Sequence, residues 1–255
     1  MSRPRAALLV VVVALSACGS AEDPLATVHV ESDPSLPFTI CMNGAGGDRH
    51  PGNQVVDAMC AGLSGLVQDC AGETCRATFR FSELTRVVDV MRALRSDDEG
   101  RARPLHVVGY SFGAVNALDA IARLHADPAL DEESARVDRV AVIDPFAPFA
   151  SEPLDVADNV RAFWSYRHSI APVDDCSADR PVIGPYEGLR PRCLDGTPCF
   201  DFDWSVDAET AHVDHCDVTD VSAPAIVHNL AEGENAHRYV PLPEGVPVER
   251  RPKSE

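Results

Sequence analysis

The chain has 255 residues, room for one α/β domain with a sizeable core, and 45% of them are hydrophobic, which excludes a disordered chain. Its formal net charge of −18 argues against a nucleic-acid partner, whose phosphates would be repelled.

At the N-terminus, Arg3 and Arg5 precede an apolar run from Ala6 to Leu15, followed by Ser16, Ala17, Cys18 and Gly19. A basic start, a short apolar stretch and small residues make an export signal, too short to span a bilayer. The Leu15-Ser16-Ala17-Cys18 box resembles the lipobox of bacterial lipoproteins. That resemblance implies removal of residues 1–17 and lipidation of Cys18. Such a chain is held at a membrane surface of the cell envelope by its acyl groups, with no transmembrane helix. Gly19 follows the cysteine in place of an acidic residue, and by the same resemblance to bacterial lipoproteins this implies the outer membrane. Loss of Arg3 and Arg5 leaves 20 basic against 40 acidic residues, a net charge of −20.

Residues 18–36 read as a tether, with one edge strand over Thr27 to Glu31. Phe38 to Met42 is short and apolar, as a buried strand should be. It runs into Asn43-Gly44-Ala45-Gly46-Gly47, where glycines let the backbone approach a ligand closely. Asn53 to Val67 has apolar residues at 55, 56, 59, 63, 66 and 67, the spacing of an amphipathic helix. Ala77 to Phe81 alternates like a strand. Ser82 then caps a helix with Val87, Val88, Met91 and Leu94 on its inner face, and Ser96 to Gly100 ends it.

Pro104 to Val108 is an apolar strand, and Phe112 to Ala126 a helix that follows almost at once. Between them stands Gly109-Tyr110-Ser111-Phe112-Gly113. A serine hydroxyl becomes a nucleophile only when a base takes its proton. A strand-to-helix elbow lifts Ser111 above the sheet edge, where an imidazole can reach it. Side chains at 109 or 113 would press on the neighbouring strand or helix. The Phe112 N–H lies at a helix N-terminus, free to donate to an oxyanion.

Val137 to Ile143 is a further strand ending in Asp144-Pro145, and Val160 to Tyr166 another. Alternating strands and helices predict a mostly parallel central sheet with helices on both faces and ligands at the strands' carboxyl ends. Asp144 sits at such an end, one strand after Ser111, and can hold an imidazole's tautomer. Arg167 to Ala211 is rich in Pro, Gly, Asp and Cys and reads as a long loop or lid pinned by disulfides. Asp174 and Asp175 in it are rival acids. Asp201 to Asp207 alternates acidic residues as a strand or turn does, without the glycine and distal Glu of a calcium loop.

Eight cysteines remain besides Cys18, and an even set in an exported chain reads as disulfides. Cys70 with Cys75 and Cys193 with Cys199 would each close a short loop; the other pairings stay open. No CxxC pair suggests zinc. A loop, Ala211-His212-Val213-Asp214-His215-Cys216, precedes a last helix from about Ser222 to Leu230. His215 is the candidate base and His212 its reserve. His50 reads as a loop residue, and His168, His228 and His237 as structural or solvated. The tail, 232–255, is charged and Pro-rich.

With these residues placed, the stretch from Phe38 to Leu230 resembles the α/β-hydrolase family of lipases and esterases. The resemblance implies a domain over 37–231 that cleaves carboxylic esters through an acyl-enzyme. Ser111 would be the nucleophile, His215 the base and Asp144 the acid, placed directly after the next strand as in pancreatic-type lipases. The N–H groups of Phe112 and Ala45 would hold the oxyanion. No organic cofactor or metal is called for, and the partners would be an ester or lipid substrate and a membrane surface. An acyltransferase, or a non-catalytic lipoprotein that binds through the same scaffold, are the alternatives.

Overall fold

The computed structural model describes residues 23–146, 153–168, 188–193, 197–204 and 213–231. Up to the elbow, its elements are β1 (Val28–His29), β2 (Phe38–Met42), α1 (Pro51–Ala61), β3 (Gln68–Ala71), β4 (Thr74–Arg76), α2 (Leu84–Leu94), α3 (Asp98–Ala102) and β5 (Leu105–Tyr110). After it come α4 (Phe112–His125), β6 (Arg139–Ile143), β7 (Leu154–Val156), β8 (Phe163–Arg167), β9 (Pro191–Cys193), β10 (Cys199–Asp203) and α5 (Asp217–Ala231).

Five strands form one parallel sheet in the order β10-β8-β6-β5-β2. The alternation of side chains explains why nearly every position in β2, β5, β6 and β8 is apolar. Phe38, Ile40, Met42, Leu105, Val107, Val140 and Val142 face α2 and α4, and pack on Val87, Met91, Ala117 and Ile121. Cys41, Val108, Tyr110, Ala141, Ile143, Trp164 and Tyr166 face α1 and α5, and pack on Val56, Met59, Val218 and Ile226. Both faces are covered, so the strands read as continuous apolar runs. The mostly parallel sheet with helices on both faces is thus as expected.

Several boundaries differ from expectation, each for a local reason. The helix expected over Asn53 to Val67 stops at Ala61. Gly65 has φ +65°, and a side chain there would run into the Pro37 carbonyl. Beyond that turn, Leu66 and Val67 keep their apolar role by lying along β2; Val67 N–H donates to the Thr39 carbonyl at 2.8 Å. Ala77 to Phe81 is no strand: only Phe79 bridges to Met42, and Phe81–Glu83 forms a 3-10 turn that opens α2 in place of a Ser82 cap. The short α3, capped by Asp97 accepting from Gly100 N–H, was not foreseen.

Nor was the hairpin of β3 and β4, stapled by Cys70–Cys75 and turned at Gly72 with φ +63°. β1 pairs with β3 in this small sheet, not with the main one. Leu25, Val28 and Val30 pack against the core, so residues 23–36 are docked where a tether was expected. The stretch Arg167 to Ala211 also holds regular structure: β10 is the sheet's outer strand, and β9 pairs with β7. Asp201 and Asp203 in β10 bind the Arg167 guanidinium, each at 3.0 Å.

Cys41–Cys60 ties β2 to α1, and Cys193–Cys199 ties the end of β9 to the start of β10. Both short-loop pairings read from the sequence are present. Cys216 is disulfide-bonded as well. Such bonds belong to an oxidising, extracytoplasmic environment. Among the described residues, no helix is long and apolar enough to cross a membrane. The expected lipidation site Cys18, the rival acids Asp174 and Asp175, and His212 and His237 lie outside the described residues.

Candidate active site

The carboxyl ends of β2, β5, β6 and β8 converge on Ser111. It follows β5 directly and carries φ +55° and ψ −125°, a conformation rare for a residue with a side chain. The neighbouring glycines make this elbow possible. A Cβ on Gly109 would lie 2.5 Å from Ala114 Cα, and one on Gly113 would strike the carbonyls of Met42 and Asn43. A Cβ on Gly44 would lie 2.8 Å from that of Ser111. All three glycines are therefore required by close approach.

His215 lies in the turn before α5. The Asp214 carboxylate accepts from the N–H groups of Cys216 and Asp217, both at 2.9 Å, and so caps that helix. This cap is why α5 begins at Asp217; Pro224, a residue favoured in first turns, lies inside the helix instead. Arg139 closes the other end, its guanidinium donating to the Leu230 carbonyl at 2.7 Å. The capped turn holds His215 Nε2 at 2.9 Å from Ser111 Oγ. Its Nδ1 is 2.5 Å from Asp144 Oδ2. Ser111, His215 and Asp144 thus form one unbroken chain, as the sequence suggested. They are 4%, 5% and 0% exposed.

Asp144 follows β6 with φ +42°, a second strained residue at the same sheet end. Its N–H donates to the Tyr166 carbonyl at 2.6 Å, extending the β6–β8 ladder by one residue. Burial pushes its carboxyl up, but hydrogen bonds and charge from His168 and His215 more than offset this and hold it below the usual carboxylate range. His168, expected to be structural or solvated, comes straight after β8 and is wholly buried. Its Nδ1 lies 2.9 Å from Asp144 Oδ2 and its backbone N–H donates to Oδ1 at 3.1 Å.

The loop after β2 is held by Asn53, in the first turn of α1. Its side chain accepts from Gly44 N–H at 2.9 Å and donates to the carbonyls of Gly44 and Gly47 at 3.2 and 2.9 Å. Gly44 N–H is therefore committed. The N–H groups of Ala45 and Phe112 donate to no acceptor among the described residues. These are the two chosen from the sequence as oxyanion donors.

Tyr110 lies flat against the imidazole of His215, ring centroids 4.8 Å apart, and donates from its hydroxyl to the His215 carbonyl at 3.2 Å. Gly52 leaves room for that ring. On the other side of Ser111, the half-buried rings of Phe81, Phe112 and Phe146 make an aromatic strip. Phe112 lies 5.7 Å from Phe81 and 5.4 Å from Phe146, whose ring is 6.5 Å from His215. His50 sits half-buried at the start of α1, held below the ordinary histidine range by burial and by the charge of His215. Among the described residues, no cluster of three or more His, Cys, Asp or Glu is arranged to hold a metal ion.

His168, Tyr110 and Asn53 were not singled out in the sequence as site residues. Only Tyr110 had a signal, its place inside the elbow. No protein-family model matches the chain, and no curated protein matches it.

Proposed function

We propose that this chain is an exported serine hydrolase of the α/β-hydrolase type that cleaves carboxylic esters. The observation that carries the reading is the relay Ser111 Oγ, His215 Nε2, His215 Nδ1, Asp144 Oδ2, with steps of 2.9 and 2.5 Å. In this reading His215 removes the Ser111 proton as Oγ bonds to the ester carbonyl carbon. The carbonyl oxygen becomes an oxyanion received by the Ala45 and Phe112 N–H groups. His215 returns the proton to the departing alcohol as the C–O bond breaks. Water then attacks the acyl-enzyme by the same route in reverse, releasing the acid and restoring Ser111. Asp144 stabilises the imidazolium throughout.

The aromatic strip Phe81–Phe112–Phe146 favours a substrate with an apolar acyl or alcohol part. The disulfides suit an exported chain, and lipidation at Cys18 would anchor it to the envelope. A second reading, a scaffold that binds without turnover, is favoured by one fact: Ser111 and His215 are only 4% and 5% exposed.

A fluorophosphonate separates the two. The oxidised chain should gain one adduct by intact mass, absent in Ser111→Ala and in His215→Ala, and should hydrolyse p-nitrophenyl esters. A folded sample that takes no adduct would move the binding scaffold to the front.

A further inference from the structure

In the order β10-β8-β6-β5-β2, the end of β8 lies beside the end of β6. The position just past β8 holds His168, and this histidine turns to Asp144. Two imidazole nitrogens therefore lie against one carboxylate oxygen: Oδ2 is 2.5 Å from His215 Nδ1 and 2.9 Å from His168 Nδ1. The second oxygen accepts from the His168 backbone N–H at 3.1 Å. The His168 carbonyl in turn accepts from Gly188 N–H at 2.9 Å, and a side chain at 188 would strike Asp144 Oδ1. Apart from His215, the carboxylate is flanked by His168 itself and by Gly188, which is hydrogen-bonded to it.

A carboxylate oxygen has two lone pairs and can take both imidazoles, provided that His168 carries its proton on Nδ1. The backbone at Asp144 also needs outside support, because φ +42° is costly for a residue with a side chain.

We infer that His168 is a positioning residue, whose Nδ1–H is the second donor to the Asp144 oxygen that orients His215. It fixes the rotation of the carboxylate and shares its charge, so that the proton stays on His215 Nδ1. This rests on reading Ser111, His215 and Asp144 as a working relay. Among the described residues, Asp144 and His215 face the His168 ring, the latter 6.5 Å away between ring centroids. Arg167 is held by Asp201 and Asp203, and Arg190, two residues beyond Gly188, is exposed. Hydrogen bonding from His168 helps hold Asp144 below the usual carboxylate range, so its loss makes the Asp144 carboxylate easier to protonate.

The test uses the oxidised full chain and a p-nitrophenyl ester. His168→Leu should lower kcat by about 10- to 100-fold, the size lost when an outer partner of a functional histidine is removed, with KM within about twofold. It should also move the acidic limb of kcat/KM to higher pH. His168→Asn, whose side-chain amide can donate from the place of Nδ1, should restore both. Nitrogen-15 histidine NMR of the unaltered chain should find His168 Nδ1 protonated across the active pH range.

An unprotonated Nδ1 would overturn the inference even if the Leu variant does not fold. So would a Leu variant with unchanged kcat, or a loss of kcat with an unmoved limb and no rescue by Asn. If the unaltered chain neither turns over ester nor takes a fluorophosphonate, it is the underlying hydrolase reading that fails, and the inference fails with it.

Discussion

Replacing Asp144 by Asn keeps the side chain's shape but removes its charge and offers an amide to two imidazoles. Loss of the equivalent carboxylate in a well-studied triad drops kcat by about 10⁴-fold through the wrong histidine tautomer, and the same drop is expected here in p-nitrophenyl ester turnover. Phe112→Ala should cut kcat/KM for an octanoate ester more than for an acetate, by about 10-fold, since truncating a large apolar contact costs a few kcal/mol at most. Equal losses on both esters would place the apolar part of the substrate elsewhere. Ser111, Asp144 and His215 were legible because each stands at the end of an element that composition and periodicity could locate. His168 and Asn53 were not, because their roles come from what lies opposite. One faces Asp144 from the next strand, the other faces the Gly44 loop, and neither pairing leaves a spacing in the chain.

The apolar strands β2, β5, β6 and β8 announced themselves by being buried on both faces. The β3–β4 hairpin did not: Gln68-Asp69-Cys70-Ala71 has no β-branched residue, and it is tied by the Cys70–Cys75 bond, by pairing with β1 and by the Asp69–Arg76 ion pair. The end of α1 was misjudged because Leu66 and Val67 continue its apolar rhythm after the chain has left the helix at Gly65. Two of the disulfides make different predictions. Cys70→Ser with Cys75→Ser opens a short surface loop, and should lower unfolding free energy by about 2 kcal/mol while leaving fluorophosphonate labelling intact. Cys41→Ser with Cys60→Ser opens a longer loop and should lose about 3 kcal/mol by chemical denaturation. It also loosens β2 from α1, the two elements that carry Gly44 and Asn53, so labelling should slow.

Across the molecule, the buried histidine of β5 makes stability depend on pH. Burial first, and the nearby Arg139 charge second, push His106 down to about 3. The unfolded chain protonates it near its ordinary value of about 6.5, so between those limits the unfolded state binds more protons. Stability should be complete above that range and fall with pH by about 1.4 kcal/mol per unit as it is crossed. Urea unfolding at pH 7 and pH 5 measures this, and His106→Gln should flatten the slope. The sheet order has a consequence of another kind. From β2 to β10 the strands lie side by side in the order in which they are made. A chain threading out of a membrane pore N-terminus first can therefore add each strand to a finished edge, with nothing to be inserted later. On that itinerary the elbow and the acid emerge early, and the imidazole arrives only with the last turn before α5. Until that turn has formed, Ser111 stands at its elbow with no imidazole beside it.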